Sequence, residues 1–101
     1  MADEKVVSSS ADDSPKEPVI IERVQTGVRM EKSMVKVLKA LAEYWDMSFG
    51  QLLEDIVLHA FERAHPFSEE SVKLIGRLKE IYGMNYDVHA SYRFAEKGRV
   101  G

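Results

Sequence analysis

The chain has 101 residues, with 14 basic and 17 acidic side chains and a formal net charge of −3. This length fits one small domain, and the absence of cysteine excludes disulfides and thiolate zinc sites. No apolar run approaches the roughly 18 residues that a membrane span needs, so we expect a cytoplasmic protein without membrane contact. The net charge argues against binding nucleic acid over the whole surface, but it leaves room for a local basic face.

The first part of the chain, residues 1–18, is acidic, contains a run of three serines and has few apolar side chains. This composition predicts a disordered acidic tail. Residues 19–30 are rich in β-branched side chains, and in their second half apolar and polar residues alternate. That alternation predicts a half-buried strand. The residues on its exposed side are Gln25, Gly27 and Arg29.

Two amphipathic helices are predicted after the strand. The first runs from about Ser33 to Trp45, because apolar residues recur there at helical spacing. The second follows an N-cap at Ser48 and should stop at the step from His65 to Pro66, since proline disfavours helix in the residue before it.

An additional helix is predicted over residues 66–83, where Ser68 is an N-cap and Gly83 is placed to end the helix. Beyond it, apolar residues occupy the even positions from 84 to 94. This alternation indicates a strand-like segment, or else it is fortuitous. We therefore expect residues 84–101 to be extended or partly disordered.

Residues 22–65 alone contain one strand and two helices, which is too little core for a stable monomer. A lone strand also leaves both of its edges unpaired. A symmetric dimer solves both problems, because two copies of the strand can pair antiparallel above four packed helices. The predicted dimer core consists of Val28, Met30, Leu38, Leu41, Trp45, Leu53 and Val57.

The order and spacing of these features resemble the ribbon-helix-helix family of dimeric DNA-binding proteins, the class of the Arc and methionine repressors. The resemblance covers residues 22–64 and rests on the strand that ends near Arg29, the apolar steps of the first helix, the Ser48 cap and the pair of leucines after it. It implies a mainly α fold: a ribbon-helix-helix dimer over residues 19–65, with one strand and two helices per chain and an intermolecular antiparallel ribbon. The C-terminal helix and the possible extended segment are additions to that plan.

In this family the outward side chains of the ribbon read bases in the major groove. The resemblance assigns that role to Gln25, Gly27 and Arg29. Gln can form two hydrogen bonds with adenine and Arg two with guanine. Gly27 departs from the family pattern, which usually offers a side chain there, so either the ribbon approaches the bases closely or it reads fewer of them. The implied phosphate contacts are Lys32, Lys36, Ser48, Phe49 and Gly50, the last three at a helix N-terminus.

The charge distribution agrees with a DNA-binding face. Residues 22–39 hold five basic and two acidic side chains, which is a local excess of three positive charges in an acidic chain. Dimerisation would double this excess across the ribbon.

The C-terminal part exceeds what a DNA-reading dimer requires. Either it completes the dimer core, or residues 68–94 bind a partner protein or make higher-order contacts. The candidate contacts for such a partner are Tyr86, Tyr92 and Phe94. The plan then resembles ribbon-helix-helix antitoxins, whose C-terminal segments wrap a toxin.

These observations predict a homodimer that binds double-stranded DNA and acts as a transcriptional repressor or autoregulator. The alternative is an antitoxin-like dimeric interaction module with weak or no DNA binding. We expect no enzymatic activity, no cofactor and no metal site, because no nucleophile set or phosphate loop is evident and the three histidines are dispersed.

Overall fold

The computed structural model describes residues 17–96. It has three α-helices, α1 (Lys32–Tyr44), α2 (Phe49–Phe61) and α3 (Glu69–Tyr82), and a 3-10 turn at Val88–Ala90. Almost all of the predicted tail over residues 1–18, and the last five residues of the predicted 84–101 segment, lie outside the described residues. No helix within the described range has the length and apolar character needed to cross a bilayer.

The local signals that define α2 and α3 act as predicted. Ser48 caps α2 in a capping box, because its hydroxyl accepts the Gln51 N–H at 3.0 Å while the Gln51 side chain accepts the Ser48 N–H at 3.1 Å. Ser68 caps α3, and Gly83 ends it in the left-handed conformation at φ 73°.

Helix α2 ends earlier than the sequence predicts. It stops at Phe61, four residues before the predicted end, and Arg63 adopts a positive φ of 57°. The Ala64 N–H then donates to the His59 carbonyl at 2.8 Å, and the Arg63 N–H donates to Ala60. This pairing closes the last turn of the helix as a Schellman motif, so the chain has already turned before it reaches the proline.

Helix α1 forms the centre of the fold and packs against both α2 and α3. The fully buried core is small: Val37, Leu41, Ala42 and Leu52. Partly buried residues of α1, α3 and the loops surround it, and among them Trp45 stacks on Phe67 with 6.1 Å between ring centroids. Three residues that the sequence assigned to a dimer core are therefore covered within one chain: Leu41 is fully buried, and Leu38 and Trp45 are partly buried.

The predicted ribbon-helix-helix fold is wrong, because residues 17–96 contain no strand. Residues 17–30, which we call the N-terminal segment, have no regular secondary structure, and their backbone forms no hydrogen bond with another described residue. Val24 is 80% exposed and Val28 is 72% exposed, so neither is half-buried. A strand requires a second backbone to pair with, and no segment between residues 17 and 96 supplies it.

The alternation beyond α3 does not form a strand. Residues 84–96, which we call the C-terminal segment, contain the 3-10 turn at Val88–Ala90 and a left-handed residue at Tyr92 (φ 67°). Asp87 caps the turn through its side chain, which accepts the His89 N–H at 3.0 Å. This local hydrogen bond competes with an extended conformation and breaks the period of two.

Candidate nucleic-acid interface

The three predicted base-reading residues all lie on the N-terminal segment. Gln25, Gly27 and Arg29 are exposed. Neither Gln25 nor Arg29 forms a hydrogen bond or an ion pair with another residue in the range 17–96. A methyl group added at Gly27 would meet nothing within 4 Å, and its φ is not positive, so the fold itself does not require glycine there. These positions are open to a ligand on an irregular segment, not on a ribbon.

A basic row continues from this segment along α1. Lys32, Lys36 and Lys39 are exposed, and their spacing of four and three residues places them on one face of the helix. Arg29 is the first residue of this row, and Glu43 follows its last residue, Lys39, by four positions. We call the four cationic residues Arg29, Lys32, Lys36 and Lys39 the basic row.

One cation of the charged region is neutralised within the chain. Arg23 donates to both carboxylate oxygens of Glu54 on α2, at 2.9 and 3.2 Å. The hydrogen bond and the guanidinium charge lower the pKa of Glu54. The local positive excess predicted over residues 22–39 is therefore reduced, and it is concentrated in the basic row.

The start of α2 lies beside the basic row. Lys39 places its Nζ 5.8 Å from the centroid of the Phe49 ring, within the range of a cation–π contact. The capping box leaves the N–H groups of Phe49 and Gly50 without a hydrogen-bond acceptor among the described residues. Free N–H groups beside an ammonium group attract anions, so the predicted phosphate residues of α1 and α2 can act together.

Glu31 joins the N-terminal segment to α1 and is the N-cap of α1. Its carboxylate accepts the N–H groups of Ser33 and Met34 at 3.0 and 3.1 Å. It also accepts the Ser33 hydroxyl at 2.6 Å and the Tyr86 hydroxyl at 2.5 Å. These hydrogen bonds, led by that of the Ser33 hydroxyl, lower the pKa of Glu31 to about 2. Burial and the Glu31 carboxylate raise the pKa of Tyr86 to about 12.

A second surface, on α2, is apolar. The outward side of this helix carries Leu53, Val57, Leu58 and Phe61, of which Leu58 is 63% exposed and Phe61 78% exposed. Ile21 lies beside them, and together with Leu53, Val57 and Leu58 it lines a groove of about 400 Å³ whose one charged member is Glu54. We call these five residues the α2 apolar face: Ile21, Leu53, Val57, Leu58 and Phe61.

The three predicted partner-binding aromatics do not share one environment. Tyr86 is half-buried, bonded to Glu31, and its ring packs edge-on against Phe94 at 5.3 Å between centroids. Tyr92 is fully exposed and Phe94 is 57% exposed. Tyr92 and one side of Phe94 are therefore accessible to a partner, whereas Tyr86 is occupied by contacts within the chain.

Sequence reasoning missed two links, Arg23 to Glu54 and Tyr86 to Glu31. Both join residues far apart in the chain, at separations of 31 and 55 residues, and no local pattern encodes them. Glutamate is also an unusual N-cap, so the role of Glu31 had no clear sequence signal.

Among residues 17–96, no group of three or more His, Cys, Asp or Glu side chains is arranged to hold a metal ion. Comparisons with protein-family models, with curated proteins and with solved structures gave no match. The functional interpretation therefore rests on the geometry of the basic row and of the α2 apolar face.

Proposed function

We propose that this protein is a sequence-specific DNA-binding transcriptional repressor or autoregulator that acts as a homodimer in the cytoplasm. The observation that carries the proposal is the basic row, which begins at the open side chain of Arg29, next to the open side chain of Gln25. Arg29, Lys32 and Lys36 have no acidic partner among residues 17–96, so their charges are available to a polyanion.

Each part of this surface suits a different part of a duplex. Lysines on a helix face contact phosphates, which contributes affinity without sequence preference. Gln25 and Arg29 are suited to base edges, where each can form two hydrogen bonds with one base. In this proposal the element that reads the bases is the irregular N-terminal segment, which ends just before α1 begins at Lys32.

The homodimer is supported by the α2 apolar face. A helix that is apolar on both sides is normally buried on both sides, and α2 buries only the side with Leu52 against α1. Burial of the outward side by the same surface of a second copy would give a symmetric interface. Two basic rows in one particle would then contact two half-sites, as repressors of palindromic operators do.

The proposal is tested by selecting bound duplexes from random DNA at two salt concentrations. We expect an enriched repeat, and affinity that falls as salt rises. Arg29→Ala should relax the preference at one base pair per half-site, at a cost of about 1–3 kcal/mol. Lys36→Ala should weaken binding to all duplexes about equally. Salt-sensitive binding with no enriched sequence would reduce the proposal to nonspecific attraction.

A second candidate function is a dimeric interaction module that captures a partner protein through the C-terminal segment. It is favoured by the exposed apolar side chains there, with Val88 77% exposed and Tyr92 fully exposed. This candidate predicts no enriched duplex in the selection. It also predicts that the double change Tyr92→Ser, Phe94→Ser abolishes binding of the partner protein while leaving the dimer intact.

A further inference from the structure

One carboxylate joins the C-terminal segment to the start of α1. The Tyr86 hydroxyl donates to Oε1 of Glu31 at 2.5 Å, and the same oxygen accepts from the Ser33 hydroxyl and the Met34 N–H. The other oxygen, Oε2, accepts the Ser33 N–H at 3.0 Å. Hydrogen bonds to an ionised acceptor are among the stronger ones in proteins, so this junction is well defined.

The C-terminal segment is held at this place by packing as well. The Tyr86 ring meets Phe94 edge-on, and Met84 packs against the buried core. Met34, in the first turn of α1, lines a hollow of about 320 Å³ together with Met84, Tyr86 and Phe94. The segment is therefore tied to the start of α1 by the Tyr86 hydrogen bond and to the core by Met84.

The junction lies within the proposed DNA-binding surface. Glu31 follows Arg29 by two residues and precedes Lys32 by one. Its backbone is extended, with φ −61° and ψ 140°, so it sets the direction in which the N-terminal segment leaves α1. That direction determines where Gln25 and Arg29 lie relative to Lys32 and Lys36.

We propose that Tyr86 and Glu31 are positioning residues for the DNA-binding surface, through which the C-terminal segment fixes the orientation of the base-reading side chains relative to the basic row. This inference rests on the proposed function and adds the C-terminal segment to it. It gives that segment a role in DNA recognition that requires no partner protein.

A loosened junction should change DNA binding in a way that a general loss of protein stability would not. Phosphate contacts by Lys32 and Lys36 arise from α1 itself, and they persist when the junction is loosened. Base contacts depend on the N-terminal segment, and they weaken. Loosening the junction should therefore lower the ratio of specific to nonspecific affinity, with little effect on nonspecific binding.

The test compares Tyr86→Phe with Tyr92→Phe in the full chain. Tyr86→Phe removes the hydroxyl but keeps the ring against Phe94, and Tyr92→Phe removes an equivalent hydroxyl from a fully exposed ring. Each variant is titrated with the duplex enriched by the wild-type protein and with a shuffled duplex of equal composition. We expect the affinity ratio to fall roughly tenfold in Tyr86→Phe and to stay at the wild-type value in Tyr92→Phe.

Amide hydrogen exchange without DNA provides an independent readout. We expect faster exchange in the C-terminal segment and at Ser33 and Met34 in Tyr86→Phe, but not in Tyr92→Phe. Equal exchange in both variants would overturn the junction itself, whether or not the protein binds DNA. An unchanged affinity ratio in Tyr86→Phe, with the wild type still selective, would overturn only the positioning role. A wild type that selects no duplex would instead overturn the proposed function, and the positioning role with it.

Discussion

The guanidinium of Arg23 and the carboxylate of Glu54 form two hydrogen bonds, of 2.9 and 3.2 Å, between the N-terminal segment and α2. Among residues 17–96 no other hydrogen bond ties residues 17–30 to a helix. Both side chains are more than half exposed, at 63% and 51%, so salt screens their attraction. The segment that carries the proposed base-reading residues is thus fixed at Glu31 and only lightly attached at Arg23.

Charge reversal at Arg23 tests this attachment. Arg23→Glu should release the segment from α2 by like-charge repulsion, while the urea midpoint of unfolding stays nearly constant. The double change Arg23→Glu, Glu54→Arg should restore the attachment. Contacts between Ile21 and α2 in nuclear magnetic resonance spectra report on it directly, and their persistence in the single variant would show that apolar packing alone holds the segment.

Acid should weaken the cap of α1 in a defined pH range. The folded pKa of Glu31 is about 2, below its ordinary value of 4.5, so the carboxylate contributes stability above pH 4.5 and loses it as the pH falls toward 2. We expect Glu31→Ala to lower the free energy of unfolding by about 1 kcal/mol at neutral pH. The difference from wild type should vanish below pH 2. Glu22→Ala, at an exposed position, is the control and should match the wild type in its free energy of unfolding at neutral pH.

A substitution at Gly27 should affect DNA affinity without lowering the stability of the fold. Because an added methyl group meets nothing within 4 Å, Gly27→Ala should leave the free energy of unfolding unchanged or raise it by up to about 1 kcal/mol. If the backbone at Gly27 approaches the bases, overpacking by the same methyl group lowers affinity for the enriched duplex about tenfold, corresponding to roughly 1.4 kcal/mol. Gly76→Ala, in equally open space on α3, should bind DNA as the wild type does. Equal affinity of all three proteins would leave Gly27 outside the contact surface.

The α2 apolar face should control association. We expect Leu58→Lys to raise the dimer dissociation constant by roughly a hundredfold or more, because it buries an unpaired charge in an apolar interface. The monomer should stay folded, since Leu58 is already 63% exposed within one chain. Sedimentation equilibrium measures both species. Val72→Lys, at a 54% exposed position on α3, serves as the matched control and should stay dimeric.

The helices could be predicted from the sequence because their signals are local. Ser48, Ser68 and Gly83 satisfy backbone groups within the same turn, and the apolar spacing identifies the side of α1 that is buried. The strand could not be judged in the same way. Alternation between residues 24 and 30 describes side-chain order only, and a strand also needs a second backbone to pair with.

The packing partner of α1 was likewise beyond local reasoning. The apolar residues of α1 could face either a second chain or α3, and no local pattern distinguishes the two. In the structure they pack against α3 through Leu74, Ile75 and Leu78. Gln25, Gly27 and Arg29 lie on an irregular segment on which Val24 and Val28 are exposed as well, so the predicted alternation between a buried and an exposed side is absent. The tie between Tyr86 and Glu31 depends entirely on tertiary contact.

The central claim, that the N-terminal segment and the basic row together bind DNA, is tested most directly by following the backbone amides of the full chain in nuclear magnetic resonance spectra during titration with the enriched duplex. We expect the largest shifts at residues 25–36 and at Phe49 and Gly50, with small changes on α3. Shifts confined to α3 and the exposed side of the C-terminal segment, or no shifts at saturating duplex, would contradict it.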